Sequence, residues 1–544
     1  MTELISTIEA IGPYAPYPLL FFTGILLALL LAGADAASVP GPRRGPQRFA
    51  GLCPPKRWIG HLTSFFVGFF GFSLLVVLFD RYLSATVLGL VLIVLLWAGN
   101  KLKVAVLDEP LVFSDVFLAG HALRYPRLYF GYAPLWIWPL IAVAVFGLIA
   151  IVLQEPSLEL PTIARVAVPF ALMGIVWATN EWSRMPNSVF DRFMALFPLS
   201  FTANEDARRY TPIGASLLHL LWHSRRRIEL RRKFLLKGHG WQEERSQQNF
   251  HSRKSESESE EGTKHLLLVQ AESFCRIGTK LNRPTSTPFM DAQIDAGKGG
   301  ELALDWRGAY TMRSEFAALT GLSPEEGETY GFDPYRLAAM ERMNSLAWAL
   351  KAKGYRTIVW HPNDARFFDR DMVMPNLGFD EFWDLQRLKE TYGERLGKFG
   401  RYVSDASVLT LAAEYLKSCD KPTFLFLITM EAHGPWDNAN FPGADKVSET
   451  ERYEAHMRSL DRGIKQVAEE IESGTLNARA FVYGDHIPGI AALDSGYEGN
   501  RGDLANTSWA LIEKANTTVL PNKLRPEQIG SLVLSRCMNL SAGN

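Results

Sequence analysis

Six polar side chains follow short apolar runs in the C-terminal half of the chain. Glu272 follows HLLLVQA, His361 follows RTIVW, Glu431 and His433 follow TFLFLITM, and Asp485 and His486 follow AFVYG. Carboxylates mixed with imidazoles make a donor set suited to zinc or manganese. Taken singly, each is more often an ordinary loop residue. Their recurrence at the ends of several runs points to a shared site without naming a reaction.

The runs themselves must position those groups. His265–Gln270, Arg356–Trp360, Thr423–Thr429 and Ala480–Gly484 read as buried strands. Between them, Met340–Lys353 reads as a helix stopped by Gly354 at the C′ position. Val403–Leu416 and Glu449–Ile471 read as further helices. Strands alternating with helices predict an α/β domain with a mostly parallel sheet flanked by helices. Ligands of such sheets gather at the carboxyl ends of the strands, where the six polar residues fall.

The N-terminal part is of another kind. Apolar runs at Tyr17–Gly33, Leu62–Phe79, Leu83–Ala98, Tyr132–Leu153 and Ile163–Thr179 reach or approach the roughly 20 residues that span a bilayer. They predict a multi-pass helical membrane domain over residues 1–180. The first run lacks a basic leader segment and a small-residue cleavage site, so it reads as a retained anchor. Residues 181–264 read as a basic interfacial segment and a charged linker. They carry RRRIELRRKF, suited to anionic membrane lipids, and the low-complexity stretch SRKSESESEEGTK. Residues 265–544 are the α/β domain. The net charge of −1 gives no global basic field for nucleic acid. Four cysteines without a CxxC pair argue against a disulfide framework and a thiolate zinc site.

Six motifs together carry a family resemblance. They are AESF (Ala271–Phe274), TMRSEF (Thr311–Phe316), HPNDARFFDRD (His361–Asp371), LGFDEFWD (Leu377–Asp384), MEAHGPW (Met430–Trp436) and YGDHIPG (Tyr483–Gly489). In this order they resemble the sulfatase-like, alkaline-phosphatase superfamily, and within it lipoteichoic acid synthase and the glucan phosphoglycerol transferases. NKLKVAVLDEPLVFSD, Asn100–Asp115, resembles a membrane-domain loop of the same enzymes. The resemblance implies metal ligands at Glu272, Thr311, Asp485 and His486, with Thr311 also the nucleophile. It implies headgroup binding by His361, Arg370 and His433. Two positions depart from the synthase, which has tryptophan at Phe368 and aspartate at Asn363, both in the implied headgroup pocket. The blander alternatives are a turn or cap residue for Thr311 and a surface ion pair with Asp369 or Asp371 for Arg370.

The implied activity is metal-dependent transfer of phosphoglycerol from phosphatidylglycerol to a periplasmic or cell-surface glycan. It would use a divalent cation, manganese in the first place, with zinc or magnesium as alternatives. A threonine hydroxyl is a weak nucleophile until a cation favours its alkoxide. A phosphoethanolamine transferase and a non-catalytic membrane scaffold are the competing readings. A sulfatase needs a Cys or Ser in a C/S-x-P-x-R motif, which Thr311-Met312-Arg313 does not supply. Orientation divides the two lines of argument. Arg43, Arg44, Arg48, Lys56 and Arg57 between the first two runs place that loop, and the C-terminal domain with it, in the cytoplasm. The resemblance places the catalytic domain on the periplasmic face of the bacterial inner membrane, and that expectation is adopted.

Overall fold

The computed structural model describes residues 16–40, 57–116, 120, 124, 137–184, 189–237, 264–306, 308, 310–437, 447–496, 503–514 and 520–537. The chain forms two compact units. One comprises Met1–Arg43 and Gln47–Arg227, the other Arg44–Pro46 and Ile228–Asn544.

The first unit is helical: α1 Pro16–Ala37, α2 Arg57–Phe79, α3 Tyr82–Leu107, α4 Ile137–Gln154, α5 Thr162–Arg184, α6 Val189–Ala195, α7 Ala203–Tyr210 and α8 Pro212–Lys237. Small residues bring α1 and α2 together, because a Cβ on Gly68 would lie 2.9 Å from Ala28 Cα. The Glu155 carboxylate caps α3, accepting the Ser84 amide at 2.7 Å and the Leu83 amide. Among the described residues three helices are long and apolar enough to cross a membrane: Pro18–Ala37, Arg57–Phe79 and Tyr82–Ala105. The first three of the five expected runs are these helices. The fourth and fifth runs are helical, but their apolar stretches shorten to Val145–Gln154 and Arg165–Ile175. Pro169 lies inside the latter, and α5 ends in the polar sequence Asn180–Arg184. Residues 132–136 of the fourth run lie outside the described residues, as do the charged linker and most of the basic loop between α1 and α2.

The second unit is built on an eight-stranded sheet: β1 His265–Ala271, β2 Gly299–Leu302, β3 Arg356–Trp360, β4 Glu381–Trp383, β5 Thr423–Ile428, β6 Ala478–Gly484, β7 Thr507–Ile512 and β8 Lys523–Leu524. The order across the sheet is β8-β2-β7-β6-β1-β5-β3-β4, and only the two pairings of β7 are antiparallel. The sheet is therefore mostly parallel, as the strand–helix alternation implied. β1, β5 and β6 are buried along nearly their whole length, as expected of strands covered on both faces. One face packs Leu267, Val269, Leu425 and Val482 against Leu409 of α12 (Asp405–Ser418) and Ile464 of α13 (Glu449–Glu472). On the unit's other helices, α9 (Thr311–Thr320) packs against α14 (Pro526–Cys537), which also meets α10 (Leu346–Ala352).

Helix ends explain where sequence boundaries moved. α10 starts at Leu346 rather than Met340 because the Ser345 hydroxyl accepts the Trp348 amide at 3.3 Å. Its end falls before Gly354, whose φ of +87° suits the left-handed region. α13 opens on a capping box, in which Ser448 and Glu451 accept each other's backbone amides.

Candidate active site

Strand register brings the site together. Gln270 pairs with Ile428, and Ala271 with Gly484. The next residues of the three strands, Glu272, Thr429 and Asp485, therefore emerge side by side. Gly484 permits this, since a Cβ there would lie 1.9 Å from Phe274 O. Ser273 holds a left-handed φ of +56°, a conformation that is unfavourable for a residue with a side chain. It is tied down on both sides. Its amide donates to Asp485 Oδ1 at 2.8 Å and its hydroxyl to Glu272 Oε1 at 2.9 Å.

Glu272, Asp485 and His486 are all buried, and one ligand atom from each lies within 4.8 Å of the others. His486 Nε2 is 3.4 Å from Glu272 Oε1 and 3.3 Å from Asp485 Oδ2. Asp485 Oδ1 accepts the His486 amide at 2.9 Å. Asp485 Oδ2 and His486 Nε2 are buried without a well-formed hydrogen bond. Buried polar atoms are normally satisfied, so two such atoms facing a second carboxylate fit a divalent cation. Burial pushes the Asp485 carboxyl up to about 6, and nearby Glu272 adds to this. Burial opposes charge on His486, but Asp485 and Glu272 outweigh it and raise its pKa.

Thr311 is the first residue of α9 and is almost fully buried. Its hydroxyl lies beside the Asp485 carboxyl and favours the charged form. Ser314, one turn on, donates to the Asp485 carbonyl. The structure thus groups Glu272, Asp485 and His486. Thr311 joins them through Asp485.

The expected headgroup residues are arranged differently from their sequence reading. Arg370 pairs with Glu315, rather than with Asp369 or Asp371. Its Nε and Nη2 donate to the two Glu315 oxygens at 3.1 and 2.8 Å, with both side chains essentially inaccessible. Gln270 and Tyr335 also donate to Glu315. Two edges of the guanidinium thus already face a carboxylate. Nη1 lies 3.4 Å from both His361 Nε2 and Phe367 O. His361 directs Nδ1 to Ile428 O at 3.3 Å. Burial and Arg370 hold its pKa well below the usual value, so its ring is neutral.

His433 is also kept neutral by burial. Its Nδ1 hydrogen points to Gly434 O at 2.8 Å, which makes Nε2 the basic nitrogen. Half-buried Phe368 has a φ of +60°, and its ring lies 5.3 Å from Arg370 Cζ. Asn363 Nδ2 approaches Met430 Sδ at 3.9 Å.

Glu431 leaves the group of candidate ligands. Its Oε2 accepts the Asp405 amide at 2.6 Å and the Ser459 hydroxyl at 2.7 Å, while Oε1 meets His456 Nδ1 at 3.1 Å. Asp405 Oδ1 accepts the Glu431 amide at 3.3 Å in return. Burial pushes Glu431 up to about 7 and raises Asp405 well above its usual range, with Glu431 adding to the latter. Sequence reasoning missed Ser273, Glu315, Thr429 and Asp405. Ser273 and Glu315 stood inside quoted motifs, but nothing there assigned them a partner. Thr429 and Asp405 carried no signal.

Residues 264–514 match the sulfatase family model. The chain is 25% identical over 405 residues to the capsular polysaccharide biosynthesis protein RkpI of Rhizobium meliloti, covering 72% of this chain and 70% of that protein. It is 24% identical over 237 residues to lipoteichoic acid synthase 1 of Bacillus subtilis, covering 41% of this chain and 36% of that one. Among solved structures, the integral membrane lipooligosaccharide phosphoethanolamine transferase A of Neisseria meningitidis superposes with a TM-score of 0.52 at 14% identity, covering 96% and 95% of the two chains. That likeness concerns the fold. Residues 264–514 thus match the sulfatase model behind N-terminal apolar helices, and part of the chain is similar to lipoteichoic acid synthases.

Proposed function

We propose that this chain is a membrane phosphotransferase of the sulfatase superfamily. It moves phosphoglycerol from phosphatidylglycerol to a periplasmic or cell-surface glycan through a covalent intermediate on Thr311. The observation that carries the proposal is the convergence of Glu272, Asp485 and His486 beside the Thr311 hydroxyl. The similarity to a capsular polysaccharide biosynthesis protein and to lipoteichoic acid synthases supports the choice of donor and acceptor. The catalytic unit faces the periplasm from the inner membrane, and the basic Arg225–Lys233 stretch of α8 meets anionic headgroups.

Glu272, Thr311, Asp485 and His486 would hold a divalent cation, manganese in this reading, which would supply charge neutralisation and a lower pKa for the threonine hydroxyl. Asp485 orients that hydroxyl. The N-terminus of α9 adds backbone dipoles that favour negative charge at Thr311. The Thr311 oxygen attacks the donor phosphorus, the bond to the diacylglycerol oxygen breaks, and the proton from Thr311 ends on diacylglycerol. A glycan hydroxyl then attacks the same phosphorus while His433 Nε2 takes its proton. The bond to Thr311 breaks, and Thr311 recovers a proton.

The test is intact-mass analysis of the full-length protein after incubation with phosphatidylglycerol and manganese. The expected result is a phosphoglycerol adduct on Thr311 that is absent from Thr311→Ala. An adduct formed only with phosphatidylethanolamine would reassign the donor and make the chain a phosphoethanolamine transferase. No adduct with either lipid would refute the covalent threonine.

A further inference from the structure

The segment Asn100–Asp115 has no part in the reaction above, yet it walls a cavity of about 370 Å³ inside the first unit. That volume lies within the usual range of ligand sites. Leu31 and Ala34 of α1, Trp97 of α3, Val112 and Phe113 of the segment, and Ile213 of α8 face it. The polar residues around the cavity are turned to one another. Asp35 accepts the Ser64 hydroxyl at 2.6 Å, the Ile213 amide at 3.0 Å and the Thr211 hydroxyl. Asn100 accepts the Leu111 amide at 2.7 Å and donates to Ser38 O at 3.2 Å. The Ser216 hydroxyl donates to Leu111 O at 3.0 Å. With these groups satisfied internally, the cavity offers carbon to whatever enters, and its ligand is apolar.

Two facts narrow the ligand further. α1 and α3 are among the helices able to cross a membrane, so lipid chains are the solvent at hand. Lys101 is exposed where they meet, with its ammonium 2.8 Å from Ala37 O. An apolar chamber with an exposed cation beside it matches an amphiphile with an acyl tail and an anionic head. We infer that this cavity holds one acyl chain of an anionic glycerophospholipid whose phosphate lies at Lys101. The site stands independently of the transfer reaction.

Full-length protein labelled with phosphatidylglycerol bearing a diazirine at the end of one acyl chain tests this. Label should concentrate on Leu31–Ser38 and Leu96–Asn100. Unlabelled phosphatidylglycerol should displace it several-fold better than phosphatidylcholine. Ala34→Trp, which fills the cavity, should remove the label, and Lys101→Ala should abolish the preference between the two lipids. Labelling of exposed Phe66 and Phe70 as strong as that of the cavity wall would overturn the site. So would full labelling of Ala34→Trp. Equal displacement by both lipids in the wild type would overturn the anionic assignment. Should Ala34→Trp fail to fold, the label map of the wild type and the Lys101→Ala comparison still decide.

Discussion

Glu315→Gln removes the negative half of a pair that is sealed from water. Glu315 is 0% exposed, and Arg370 is 1% exposed. The amide keeps the size of the carboxylate, but it leaves a guanidinium charge buried among groups chosen for an anion. Breaking one side of such a pair costs about 3–5 kcal/mol. For a unit of this size, about 1 kcal/mol moves the melting temperature by roughly 2–4 °C, so the expected loss is roughly 6–20 °C. Arg370→Met should lose a similar amount. The double variant Glu315→Gln/Arg370→Met leaves no buried charge and should recover most of the loss. The assay is thermal unfolding of the purified full-length single and double variants side by side. Single variants within about 1 kcal/mol of wild type, or a double variant that loses the sum of both, would refute the reasoning. If Arg370→Met melted normally but no longer formed the lipid adduct, Arg370 would take the headgroup-binding role that the resemblance implies.

The Asp405–Glu431 pair gives a pH dependence. Both acids titrate above their unfolded values, so the folded state holds an extra proton, and stability falls as pH rises from about 4.5 through about 7. Melting curves across that window should show the decline in wild type and a flatter line in Asp405→Asn. Gly484→Ala should cost roughly 1–3 kcal/mol through the clash with Phe274 O and should reduce bound metal; unchanged melting with full metal occupancy would count against the close approach. Asp485→Asn and Glu272→Gln should each weaken manganese binding at least as much as the roughly 10–100-fold typical of an outer-shell change. Equilibrium dialysis with elemental analysis reads this. Ser448→Ala should lower stability by about 1 kcal/mol through loss of the capping box, visible as a drop in the melting temperature of the second unit.

The strands were legible because parallel strands covered on both faces become unbroken apolar runs, as in Leu266–Val269 and Phe424–Ile428. The polar residue after each run then marks the carboxyl edge, which is how Glu272 and Asp485 could be placed. Pairwise partners were not legible. Arg370 stands between two aspartates, yet its carboxylate comes from Glu315, 55 positions away. Only the fold sets that distance. Glu431 looked like a ligand because it follows a strand, but its side chain points back to the start of α12. Spacing along the chain does not encode that direction. The fifth apolar run, Ile163–Thr179, carries Arg165 and Pro169 within its length, and both were visible in the sequence.

The order of strands across the sheet also bears on when the centre can form. Glu272 leaves β1 early, but its two neighbours arrive only with β6, after more than two hundred further residues have been made. No contiguous peptide contains the donor set, so a growing chain cannot capture an ion at this place. A metal held there would therefore be chosen late, from the ions available in the compartment where β6 docks beside β1. Ions abundant at the ribosome have no claim on the site if docking happens elsewhere.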